Sequence, residues 1–279
     1  MEGIKPVEKS ARYLSEADFF LIWAGAAISL AEVLAGGILI PLGFTAAMLA
    51  ILIGHLIGNT PLALGQVIGS EQGIPAMVSL RPSFGIRGSY LASILNVIQL
   101  IGWTAIMIII GASSANAISQ GSGFSNIYFW TVVIGAVTTA WSFMGKGYWK
   151  IVERAAVVLL GLLLLWMSYA VFSGYTAQIF SYTGQGDLSF AIALDIVIAM
   201  PLSWLPLAAD YSRHSKNVRK SALGTWIGYF LMSSWMYALG YCAAVATGNA
   251  DIVPMILALG FSTIALLIVL FSTFTTTFM

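Results

Sequence analysis

The sequence predicts an all-α polytopic membrane protein, and three observations predict it. Of the 279 residues, 59% are hydrophobic and only 8% are charged. A soluble domain carries about 25% charged residues, so this chain cannot cover itself with polar surface and takes lipid as its solvent. The apolar residues also gather into runs of about 20, the length a helix needs to cross a hydrocarbon core of about 30 Å. Finally, the basic residues gather at one end of each run.

By length and apolarity, eight spans are expected, at about 19–40, 44–67, 89–117, 127–144, 152–173, 188–210, 222–247 and 254–279. The connections at 118–126, 174–187 and 248–253 are short and rich in Gly, Ser, Asn and Thr. Lys5, Lys9 and Arg12 precede span 1, and Arg81 and Arg87 lie between spans 2 and 3. Lys146, Lys150 and Arg154 flank the junction of spans 4 and 5, and Arg213, Lys216, Arg219 and Lys220 separate spans 6 and 7. All 12 Lys and Arg residues therefore fall on one side. The positive-inside rule makes that side cytoplasmic, with the N-terminus inside.

The opening "MEGIKPVEKSARYLSEADFF" is polar for too long and lacks a small-residue cleavage site, so it reads as a retained cytoplasmic tail. Cys242 is the single cysteine, and His55 and His214 are the only histidines and lie far apart. This excludes a disulfide framework and disfavours zinc chemistry. No basic face suited to nucleic acid is present. Neither HExxH nor a paired-Asp motif falls inside a span, so the chain is not expected to be an enzyme. Span 8 runs to Met279 without a cap, loop or basic residue, and the chain is expected to be part of a longer one.

Two spans interrupt themselves. In "DIVIAMPLSWLPLAADYSRHS" (Asp195–Ser215), Pro201 and Pro206 each remove an amide donor and crowd the preceding turn. A break near 199–205 is expected, against the plainer alternative of a proline kink. Irregular backbone at membrane depth is tolerated where it is buried in protein or lines a cavity. Span 1 carries a matching weak point, "WAGAAISLAEVLAGG" (Trp23–Gly37). Span 1 runs outward and span 6 inward after five spans. That is the relation of a five-plus-five inverted repeat, with a first repeat at about 19–173 and a second from about 188.

The loop "GIPAMVSLRPSFGIRGSYL" (Gly73–Leu91), the "IQLIGW" of span 3 (Ile98–Trp103) and "SWLPLAADYSRHSK" (Ser203–Lys216) together resemble the nucleobase:cation symporter-1 family, the purine/cytosine permeases. The resemblance covers essentially the whole chain. It is greatest to the CytX-type branch, associated with hydroxymethylpyrimidine transport, through "ISLAEVLAGG" in span 1. It implies the LeuT-like transporter fold in one domain over 1–279, with alternating access. The expected function is symport of a pyrimidine-type nucleobase or hydroxymethylpyrimidine-like thiamine precursor. A cytosine/purine or hydantoin permease, or an amino-acid symporter of the same fold, is the alternative. The coupling ion is Na+ or H+, no other cofactor is expected, and the partners are a small planar heteroaromatic ring and the bilayer. A monomer in the cytoplasmic membrane is expected.

Gln99 and Trp103 are four residues apart and share one helix face. An indole offers a stacking surface and an amide both a donor and an acceptor, which suits a flat ring with polar edges. The resemblance gives Trp103 the stacking role, Gln99 the ring edge and Trp204 the opposite ring face, with Ser203 bonding the edge. It gives Ser29 and Ser272 weaker substrate roles. Cytosine-type relatives carry an Asn at the position of Ser272, which weighs against cytosine itself. Ser272, Thr275 and Thr276 stand at i, i+3 and i+4 on one face of span 8. Their hydroxyls either back-bond the helix or ligate a cation. The resemblance assigns a sodium site to the hydroxyls of Thr275 and Thr276 and the carbonyls of Ser272, Gly25 and Ile28. Glu32 is read either as a proton or substrate-amine site or as a buried structural acid. His55 is read as a hydrogen-bonded packing residue before a proton relay, and Asp210 with Arg213 as a local pair at the cytoplasmic end of span 6 or part of the inner gate.

Overall fold

The structure is a computed structural model that describes residues 4–143, 146–261 and 263–276; at 142, 146–151, 153, 154 and 274–276 only the backbone is described. The helices are α1 (Glu16–Ala27), α2 (Leu30–Ile38), α3 (Phe44–Gln72), α4 (Ala76–Ser79), α5 (Arg81–Gln120) and α6 (Ile127–Ser142). They continue with α7 (Lys146–Gly174), α8 (Thr176–Phe180), α9 (Phe190–Ser212), α10 (Val218–Thr247), α11 (Ile252–Ala258) and α12 (Thr263–Thr276). Five of these are long and apolar enough to cross a membrane, and α1 with α2 forms a sixth, broken span.

The first span breaks inside the expected weak point 23–37, at Ile28 and Ser29. Ser29 restarts the helix as an N-cap, its Oγ accepting from the Ala31 amide at 3.1 Å.

Three expectations need correction. The sixth span has no gap, because α9 runs unbroken from Phe190 to Ser212 with Pro201 and Pro206 inside it. Side chains add bonds along this proline stretch. Ser203 Oγ donates to the Met200 carbonyl at 2.7 Å, and the Gln99 amide donates to the Ser203 carbonyl at 2.8 Å. Side-chain and neighbouring-helix donors of this kind let proline persist in a membrane helix. The eighth span is two helices, α11 and α12, parted at Gly260 with φ +79°. The segment 73–91 is mostly helical, with α4 inside it and α5 already begun at Arg81, turned at Gly85 (φ 68°, ψ 174°).

The chain divides into two compact units. Unit 1 comprises Met1–Ala27, Thr45–Leu100 and Leu188–Trp235; unit 2 comprises Ile28–Phe44, Ile101–Asp187 and Met236–Met279. In unit 1, α3 lies on α9 through a glycine row. A methyl group at Gly54 would sit 2.7 Å from the Val197 side chain, at Gly58 2.6 Å from the Pro201 ring, and at Gly65 2.6 Å from Leu205. The small residues admit the branched and ring side chains of α9. Gly224 and Gly228 of α10 do the same for α1, since a Cβ there would lie 2.7 and 2.5 Å from the Glu16 and Phe20 carbonyl oxygens.

In unit 2, α2 and the second part of α10 meet backbone to backbone. A Cβ on Gly36 would lie 2.1 Å from the Tyr237 carbonyl oxygen, and one on Gly240 1.9 Å from that of Val33. Helix α12 lies against α7 and α6. Ala112, Ala115 and Ile134 form a buried cluster with Ile108, Trp130 and Leu270 around it.

Candidate substrate and cation site

Unit 1 places Gln99 of α5 beside the proline segment of α9. Gln99 Nε2 donates both to Asn96 Oδ1 (2.9 Å) and to the Ser203 carbonyl (2.8 Å). A carbonyl must receive a hydrogen, so this contact fixes the amide orientation. Both N–H groups are thereby engaged, and Oε1 is the atom Gln99 can turn toward a ring N–H. Ser203 is less available than expected, since its hydroxyl and its carbonyl both serve the fold.

Trp204, one residue on, is half-buried, and its ring meets the edge of Trp23 at 5.9 Å and 90°. Trp23 also contacts Tyr211 (5.7 Å) and Tyr229 (6.1 Å) edge-on. This aromatic cluster, which sequence spacing did not expose, orients Trp204 from α1, α9 and α10. Trp103 is half-buried on α5, one turn beyond Gln99.

At the break, Gly25 lies in the last turn of α1, and Ile28 is outside either helix. The last four carbonyls of a helix lack intrahelical partners and carry its negative pole. A Cβ built on Gly25 would meet nothing within 4 Å, so open space adjoins that turn. Oxygen atoms of this kind suit a hard cation. Ser29 is engaged as the N-cap of α2. Glu32, 1% exposed, follows it at the spacing of a capping box and acts electrostatically on Tyr237.

Ser272 is 1% exposed within α12, and Thr273, its neighbour, donates to the Leu270 carbonyl at 2.7 Å. The backbone is helical through Thr276, while the side chains of Thr275 and Thr276 lie outside the described residues. Among the described residues no three His, Cys, Asp or Glu side chains gather as a metal site. A sodium site of carbonyls and hydroxyls would not register in such a grouping.

His55 is fully buried and bonded at both nitrogens, to the Ile51 carbonyl (2.8 Å) and Ser233 Oγ (2.5 Å), as a packing residue would be. Asp210 accepts from the Ala76 amide and lies near Arg213, which ties the end of α9 to α4.

Long apolar helices, a broken first span and small-residue helix contacts define a multi-pass membrane protein. The comparisons agree. A family described as permease for cytosine/purines, uracil, thiamine and allantoin matches residues 6–279. The chain belongs to that family.

Among curated relatives, the cytosine permease of Escherichia coli K12 is 28% identical over 215 residues, 76% of this chain and 50% of the relative. The purine-cytosine permease fcyB of Emericella nidulans is 25% identical over 217 residues, 74% and 41% respectively. The chain thus spans about half the length of these relatives. Its backbone resembles the inward-facing conformation of Mhp1 at a TM-score of 0.91 and 22% identity, covering 99% of this chain and 65% of that one. It also resembles the closed conformation of Mhp1, a nucleobase-cation-symport-1 family transporter with bromovinylhydantoin bound, at 0.80 with the same identity. At that identity the likeness concerns the fold, which is that of the LeuT-like transporters. The relatives are permeases, not enzymes.

Proposed function

We propose that this chain forms the substrate- and cation-binding part of a symporter that imports a planar, pyrimidine-like heterocycle. The substrate class includes cytosine-type bases, which the relatives' names favour, and hydroxymethylpyrimidine-like thiamine precursors. The observation that carries the reading is the Gln99 amide, locked by Asn96 and the Ser203 carbonyl with its own oxygen left for a ring N–H. Trp103, one turn away, stacks on the ring, and Trp204, oriented by Trp23, faces it.

The coupling ion, sodium before proton, binds the terminal carbonyls of α1 at Gly25 and Ile28 with Ser272, Thr275 and Thr276 of α12. Because cation and substrate favour one state, each raises the other's affinity by the same factor. The basic ends of the spans set the N-terminus in the cytoplasm.

The test is equilibrium binding of cytosine, hydroxymethylpyrimidine, hydantoin and leucine to the purified protein, with sodium or potassium and across pH. A heterocycle should bind more tightly in sodium, and Trp103→Ala should abolish that binding while leaving the protein monodisperse. Preference for leucine would give the amino-acid symporter instead. Indifference to both sodium and pH would remove the coupling.

A further inference from the structure

The interior of unit 1 holds a second polar feature, separate from the Gln99 turn. On α3, His55, Asn59, Gln66 and Ser70 recur at intervals of four, seven and four residues, which keeps them on one helix face. On α10, Ser221, Thr225, Tyr229 and Ser233 recur every four residues. All eight are 0% exposed. Two hydrogen bonds join the faces and set their register: Ser70 Oγ with Ser221 Oγ at 2.7 Å, and His55 Nε2 with Ser233 Oγ at 2.5 Å. Lower numbers on α3 pair with higher ones on α10, so the helices run antiparallel. At about 1.5 Å per residue, Gln66 and Thr225 stand at one level, a turn inward from the Ser70–Ser221 pair. Asn59 stands a turn short of His55.

Between the two anchors, polar atoms are left over. Nδ2 and Oδ1 of Asn59, Nε2 and Oε1 of Gln66 and Oγ1 of Thr225 are buried without a hydrogen-bond partner among the described residues. The indole Nε1 of Trp23 is another such donor, and its ring meets Tyr229 at 6.1 Å, between the two layers. Amides do not stay unbonded at this depth, where no bulk water reaches them.

We infer that water occupies the α3–α10 seam, held by Gln66 and Thr225 in one layer and by Asn59 in the other. The chemistry selects the ligand. The set combines amide and indole donors with carbonyl and hydroxyl acceptors, and contains no ionised side chain. A bare cation would face amide hydrogens and an anion would face carbonyl oxygens, whereas water satisfies both. At about three hydrogen bonds per buried water, these six atoms call for about two molecules.

A cavity adjoins one end. The Ser70 carbonyl accepts from the Arg12 guanidinium beside a cavity of about 380 Å³ that Arg12, Ser70, Glu71 and Lys216 help to line. The inference holds whether or not the chain transports a heterocycle.

A crystal structure of the whole protein, at a resolution that shows waters, should place one within about 3.2 Å of Gln66 and Thr225 and another against Asn59. Direct bonding of those amides to protein groups, or a dry seam, overturns the inference. Gln66→Leu supplies a second readout, since leucine there has about the size of glutamine and no polar atom. If water satisfies the amide, the variant melts several degrees lower. If the amide is stranded, removing it leaves Tm unchanged or raised, and the inference fails. The wild-type structure decides where a variant yields no folded protein.

Discussion

At the scale of single residues, the outcome turns on what each polar group already does for the fold. Gln99 bridges Asn96 and Ser203 across 104 residues of sequence, a contact that no local pattern announces. Substituting Gln99 by Leu would delete the bond to the Ser203 carbonyl and the oxygen proposed for the ring edge. Losing such a hydrogen bond costs about 1–3 kcal/mol, so heterocycle affinity should fall roughly tenfold or more in a binding titration, with the helical signal in circular dichroism retained. Ser29 and Glu32 teach the converse. Their S-x-x-E spacing was readable as a helix start from the sequence alone. The Ser29 cap bond then gives its hydroxyl a backbone task, and Glu32 is buried at the first turn that this cap opens.

At the scale of elements, the first span was legible because its interruption falls inside the segment the sequence marked, 23–37, where Ser29 caps a second helix. The sixth was misread. Its prolines are visible in sequence, but what keeps α9 helical from Phe190 to Ser212 is its seating against the α3 glycine row and Gln99 of α5, which are remote in sequence. The α3–α10 seam was not read, because its partners lie on another helix, although its polar residues recur on one face of α3. Nor were close helix contacts, because glycine looks alike whether it faces lipid or another backbone. The two cases should separate in the laboratory. Gly240→Ala puts a methyl group 1.9 Å from the Val33 carbonyl oxygen, whereas one at Gly161 meets nothing within 4 Å. Overpacking of this kind costs about 1–3 kcal/mol, so Gly240→Ala should lower Tm clearly. Gly161→Ala should leave it unchanged or slightly raised, by thermal denaturation followed on a sizing column.

At the scale of the whole molecule, composition alone identified the lipid environment and family motifs the fold, while orientation rests on the one-sided charges. That orientation can be tested without a cysteine-free background, because Cys242 is 1% exposed. A membrane-impermeant thiol reagent added to intact cells should label Ser122→Cys and spare Ser10→Cys, both exposed positions; the opposite pattern reverses the topology. One further link acts at this scale. The N-terminal segment lies along the α9–α10 connection through a single parallel bridge at Leu14 and Ser215. Tyr13 and Leu14 amides donate to the His214 carbonyl at 3.0 Å, and the Lys216 amide donates to the Leu14 carbonyl at 3.0 Å. Every one of these bonds is peptide to peptide. An alanine scan would therefore register only what side chains add beside these bonds, such as the Tyr13–His214 ring contact at 5.4 Å, and leave the peptide-to-peptide bonds in place. Only proline, which deletes the donor itself, would unbuckle the tail from the elbow.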